Sequence, residues 1–200
     1  MKTTMKENHL SLASWCRLSS CWLALALLPI LAAGCAFHEV RTFSSGQPPA
    51  ERPTVLVLGQ VLIADDRILA ADKEVCRLKF QEGVEAYFSK TNIFESVISS
   101  STNVIPRSLI LSGTITEVKK GNAAAMYFVG MGLGEERVQG FFEIKDAAGK
   151  SLIKFIARKS YKGGLGIGGG DFLSINELTF RLGETVAKAV SNWLHGQNIE

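Results

Sequence analysis

The chain has 200 residues, 22 Lys and Arg against 19 Asp and Glu, a formal charge of +3, and 46% hydrophobic residues. So nearly balanced a charge gives no electrostatic footprint for nucleic acid, and the apolar content is enough to build one domain core. Past residue 35 only Cys76 remains as a cysteine, which excludes an intramolecular disulfide framework there.

The chain opens with Lys2, Lys6 and Arg17, followed by an uncharged apolar run over 21–33 that ends in the small residues Ala32, Ala33 and Gly34. This is the layout of a secretory signal peptide. The small residues lead directly into Cys35, and residues 31–35 (Leu-Ala-Ala-Gly-Cys) resemble a bacterial lipobox, with Ala32 where Leu is more usual. The resemblance implies cleavage between Gly34 and Cys35 and a diacylglyceryl group on the Cys35 thiol. The alternative is an uncleaved transmembrane helix. A span needs about 20 apolar residues, and Pro29 and Gly34 interrupt this run. Two or three acyl chains would hold the protein permanently where one chain binds reversibly. Ala36 stands where an Asp would resemble an inner-membrane retention signal, so the expected location is the outer membrane, facing the periplasm.

The expected organisation is a signal peptide over 1–34, a lipidated cysteine and flexible tether over 35–53, and a folded domain over 54–200. The tether reading rests on Ser44, Ser45, Gly46, Pro48, Pro49 and Pro53. Such a segment would hold the domain about 25 Å from the anchor as a coil and about 60 Å when stretched.

Residues 54–63 are β-branched and almost continuously apolar, which predicts a strand covered on both faces. Asp65 and Asp66 then favour a turn or helix start, and a helix is expected to about residue 90. Its apolar stripe is Cys76, Phe80, Val84 and Phe88, widened by Leu78 and Tyr87, with Lys79 and Glu82 off it. Cys76 reads as a buried structural thiol. A short strand is expected over 94–98. Residues 108–118 alternate, with Leu109, Leu111, Gly113 and Ile115 on one face, and 135–146 place Val138, Phe142 and Ile144 in phase. A turn at 147–150 returns the chain into a strand over 152–161, completing an antiparallel meander. The last helix is expected over 174–195, opened by a capping-box pattern at Ser174 and Glu177. Its buried stripe is Leu178, Leu182, Val186, Val190, Trp193 and Leu194, with close packing at Gly183 and a helix-dipole position for His195. The order β-α-β-β-β-β-α defines an α/β single-domain two-layer sandwich, a mixed sheet with two helices packed on one face.

Two glycine-rich stretches, 121–134 and 163–170, fall between these elements. The Gly-x-Gly pattern of the first is no dinucleotide fingerprint, which needs a strand before it and a helix after it. Residues 149–151 (Gly-Lys-Ser) end like a phosphate loop but lack its first glycine at Ile144. Met126, Tyr127, Phe128, Leu165 and Ile167 are apolar residues without a place in the core pattern, and they are the candidate contact loops. The plain alternative is a pair of connectors.

Residues 111–117 (Leu-Ser-Gly-Thr-Ile-Thr-Glu), the alanine-then-glycine stretch 121–134, and 146–149 (Asp-Ala-Ala-Gly) resemble a bacterial lipoprotein family described as a domain of unknown function, DUF4410. The similarity covers roughly residues 55–193, and Met126 departs from an Arg frequent in the family. It implies an envelope lipoprotein of one α/β domain and brings no activity, cofactor or catalytic residues.

The residues themselves give no nucleophile elbow, no His pair with metal spacing and no singled-out carboxylate pair; beyond residue 35 the histidines are His38 and His195. The expectation is a non-enzymatic lipoprotein with no cofactor or metal, held to the membrane through Cys35, that binds an envelope protein partner as an assembly or accessory subunit. The alternative is a carrier of a small ligand or lipid in a pocket between sheet and helices.

Overall fold

The computed structural model describes residues 35–99, 105–120, 135–162 and 174–199. The elements in chain order are β1 (Cys35–Ser45), β2 (Val55–Ile63), α1 (Ala70–Thr91), β3 (Ser96–Ser99), β4 (Ser108–Lys119), β5 (Glu136–Asp146), β6 (Ser151–Lys162) and α2 (Ile175–Leu194). From β2 onward this is the expected order, in one mixed sheet with two helices on one face. The six strands lie in the order β1-β6-β5-β4-β2-β3. Strands β4, β5 and β6 form the expected antiparallel meander, while β2 runs parallel to both β3 and β4.

The tether over 35–53 is corrected in its first half. Residues 35–45 are the edge strand β1, antiparallel to β6 from Cys35 opposite Lys162 to Ser45 opposite Ile153. Over residues 38–45, the part of the strand whose side chains are described, Val40 is the one buried hydrophobic side chain. Beyond it the chain is still tied down: the Gly46 N–H donates to the Leu152 carbonyl at 2.7 Å, and Trp193 Nε1 donates to the Gly46 carbonyl at 2.9 Å.

Between sheet and helices lies one core. Alternation along β4, β5 and β6 delivers Leu109, Leu111, Ile115, Val138, Phe142, Ile144, Ile153 and Phe155 to the helix side, all buried. Helix α1 meets them with Phe80, Val84 and Phe88, and Phe80 stacks on Phe142 with ring centroids 5.1 Å apart and planes 4° from parallel. Helix α2 adds Leu178, Leu182, Val186, Val190 and Trp193, the expected stripe, with Leu194 half-buried. Leu78 is corrected: it is 50% exposed and lies off the buried face of α1.

The two helices touch backbone to backbone. A Cβ at Gly83 would lie 2.0 Å from the Phe180 carbonyl oxygen, and one at Gly183 would lie 2.3 Å from that of Phe80. Glycine at these two facing positions is what lets α1 and α2 pack this closely, as expected at Gly183. Cys76 is buried in the same layer, where burial raises its thiol pKa against a hydrogen bond with Thr179 of α2.

The caps follow local chemistry. Ser174 accepts from the Glu177 N–H at 3.2 Å, one half of the expected capping box, while the Glu177 carboxylate pairs with Arg181 at 2.8 Å instead of turning back. Asp65 and Asp66 lead into a turn, one of the two outcomes expected there, closed by the Ile68 N–H donating to the Asp65 carbonyl at 3.2 Å, and α1 starts at Ala70; a separate contact holds the Asp65 carboxylate. It accepts from the Val118 N–H at 2.9 Å and from Arg67 Nη2 at 2.6 Å, fastening the end of β2 to the end of β4. Among the described residues no helix is long and apolar enough to cross a membrane.

Candidate functional site

Because both helices pack on one side, the other side of the sheet is uncovered by any described element. Pleating sends alternate residues there. The pairing aligns Arg41, Ile156, Phe141, Thr114 and Leu62 in one row across β1, β6, β5, β4 and β2. A register shift between Thr42 and Ser44 leaves Phe43 as the extra residue in β1. Such a bulge re-aims its side chain, and the Phe43 ring stacks on Phe141 with centroids 5.9 Å apart. Phe43, Leu62 and Phe141 are 62%, 50% and 46% exposed. Together with Gln60, Ser112 and Thr114 they line a shallow groove of about 560 Å³.

Phe142 reaches the floor of this groove from the core side. Its ring occupies the space where a Gly113 side chain would stand, since a Cβ there would be 2.4 Å from Phe142 Cδ1. Gly113 therefore serves a large ring lying flat on the sheet as well as the strand alternation.

Paired charges bracket the apolar band. At one end Glu143 lies 3.2 Å from Lys145 Nζ and 3.4 Å from Lys154 Nζ. Burial opposes ionisation of Glu143, yet the hydrogen bonds from Ser151, Lys145 and Lys154 outweigh it and hold the carboxyl below its ordinary pKa. At the other end Arg158 donates to Glu39 Oε2 at 3.0 Å and to Gln139 Oε1 at 2.8 Å. The band thus offers aromatic and aliphatic surface inside a rim whose charges are already matched. That arrangement suits an interface core rather than the seizing of a lone ion.

A second groove, about 530 Å³, runs between β1 and α2, lined by His38, Val40, Thr42, Thr185, Lys188 and Asn192 among others. Burial, then the charges of Lys159 and Lys188, lower the His38 pKa; burial and then Arg181 lower that of Lys159. Lys159 and Lys188 form no ion pair among the described residues.

The predicted site residues fare differently. Cys35 is described as the first residue of β1. Gly34, Met126, Tyr127, Phe128, Leu165 and Ile167 lie outside the described residues. His38 belongs to β1, not to a tether, and His195 caps the end of α2 with Nδ1 2.7 Å from the Ser191 carbonyl. No cluster of three or more metal-ligating side chains exists among the described residues. The sequence reading missed Phe43, Leu62 and Phe141. A signal was present in two cases: Phe142 is in phase with Val138 and Ile144, so the adjacent Phe141 must face the other way, and Leu62 beside buried Val61 obeys the same rule.

Fold and open face define a two-layer α/β domain in which no described element covers one side of the mixed sheet. The model of the family described as a domain of unknown function, DUF4410, matches residues 69–164. Among solved structures the chain is similar to a single-substitution variant of the PelC dodecamer from Paraburkholderia phytofirmans, at 16% identity and a TM-score of 0.46 over 79% of this chain and 98% of that one. A second PelC dodecamer structure from the same organism gives 14% identity at the same TM-score and coverage. A search of the curated proteins finds no match.

Proposed function

We propose that this chain is a lipoprotein anchored in the outer membrane through Cys35 and facing the periplasm, a non-enzymatic accessory subunit that binds an envelope protein partner. The observation that carries the binding role is the uncovered sheet face, where Phe43, Leu62 and Phe141 stay exposed inside a rim of matched charges. Large exposed apolar groups gathered in one place, rather than scattered, are the mark of an interaction surface. The anchor rests on the sequence of 31–35. The carrier alternative finds no support in the layer between sheet and helices, which fully buried Phe80, Phe88, Phe155 and Leu182 fill.

The anchor is tested by mass spectrometry of the mature protein, which should begin at Cys35 and carry acyl chains. Residues ahead of Cys35, or a free thiol there, would sink it. For the binding role, mild detergent extraction of wild type should co-purify a partner that Phe141→Asp loses while its thermal unfolding stays close to wild type. If the variant retains every wild-type partner, the open face is not the binding surface.

A further inference from the structure

The start of β1 sets how far the folded domain can stand from its anchor. Cys35 is already paired with Lys162 across the sheet, so no spacer separates the anchoring residue from the fold. The pairing also fixes what shares that end of the molecule. The end of β6, the start of β5 at Glu136 opposite Tyr161, and the end of β4 at Lys119 opposite Arg137 lie on the same rim. The Asp65–Val118 bond brings the end of β2 there as well. The opposite rim holds Ser45 and the turn after Asp146, roughly 33 Å away by the rise of an eleven-residue strand.

We propose that this rim rests directly on the phospholipid headgroups of the membrane that holds Cys35, so that the sheet stands upright on the bilayer. The inference depends on the acylation read under the proposed function and adds to it an orientation and a contact surface. An acylated residue places its glyceryl group at the headgroup boundary, and a strand cannot lengthen to lift the sheet away. The chemistry beside the anchor fits such a surface. His38 and Lys159 face each other across β1 and β6 only three residues from Cys35, about 10 Å along the strand. His38 is held neutral there, and the positive charge comes from Lys159 with Lys188 of α2, beside Glu184 and the Arg181–Glu177 pair, about one screening length from lipid phosphates. Neither lysine has a carboxylate within 4 Å among the described residues, and Glu184 acts on Lys159 from farther off.

The test uses the mature acylated protein in vesicles of phosphatidylethanolamine and phosphatidylglycerol doped with a nitroxide-headgroup lipid. A fluorophore is placed on His38→Cys or, separately, on Ser45→Cys; both positions are exposed and native Cys76 is buried. Quenching should be several-fold stronger at 38 than at 45. A ten-residue Gly/Ser insert after Ala36, spanning about 18 Å as a coil, should abolish that difference while the acyl mass on Cys35 stays intact. Equal, weak quenching at both positions of an acylated protein overturns the orientation and leaves the anchor standing. Unchanged quenching after the insertion also overturns it, because the strand start would not be what sets the contact. A mature protein without acyl chains overturns the anchor itself, and the orientation with it.

Discussion

The two faces of the sheet are made by the same strands from the same alternation, yet they follow different rules. On the helix side every large apolar residue is spent on neighbours: Phe80 on Phe142, Phe88 on Phe94, and Leu111 and Ile144 without measurable exposure. On the open side three large apolar residues are 46–62% exposed amid ion pairs that satisfy one another. If the open face binds as proposed, stability and recognition are separated across one layer of backbone. Substitutions on the two faces should therefore have different consequences, and that separation can be attacked in order of expected effect.

The largest change is expected from Phe80→Ala, which empties a fully buried site against Phe142 and should cost about 3–5 kcal/mol in urea unfolding. A loss of less than about 1 kcal/mol would mean that the helix side is not the principal core. Next is Gly183→Ala. In an ordinary helix interior this exchange stabilises by about 1 kcal/mol. Here the new methyl meets the Phe80 carbonyl, so a cost of about 1–3 kcal/mol is expected. A higher melting temperature for this variant would show that the helices are not in backbone contact.

Asp65→Ala leaves the buried Val118 N–H without its acceptor and should cost about 1–3 kcal/mol at neutral pH. The hydrogen bonds from Arg67, against the opposing effect of burial, hold this carboxyl well below its ordinary range. A depressed carboxyl contributes stability above its unfolded pKa, about 3.9, and loses it as pH falls below that value. Wild type should thus lose stability between about pH 5 and pH 2 more steeply than the Asp65→Ala variant. Parallel curves would show that the latch does not titrate. The smallest change in stability belongs to the open face. Phe141→Thr keeps β propensity and should shift unfolding by under about 1 kcal/mol, while partner retention drops. A large destabilisation there would make the open face part of the core and collapse the distinction between the two sides.

Legibility in the sequence divided along the same line. The meander and both helices could be read because their buried residues recur at two or near four, as Leu109, Leu111 and Ile115 or Phe80, Val84 and Phe88 do. Strand β1 could not, because residues 38–45 are mostly polar, with Val40 the one buried hydrophobic side chain in that stretch, and the prolines after it suggested a tether. The aromatic band was hidden for another reason. Phe43, Leu62 and Phe141 are distant in sequence and meet only through pairing across β6, β5, β4 and β2, including a bulge no pattern announces. Leu78 misled because an apolar residue adjacent to a stripe need not turn inward, and here it stays half in water.

Strand β1 also has a consequence for the order of assembly. It is the earliest described segment of the chain to emerge and its one strand partner among the described residues is β6, so Cys35 must wait for Lys162, more than a hundred residues later. Closing a loop of that length costs about 4 kcal/mol beyond a constant, which places this pairing late and makes it slow. Until then the earliest strand is an unpaired backbone edge, and the sheet reaches full width only after almost the whole chain has been delivered.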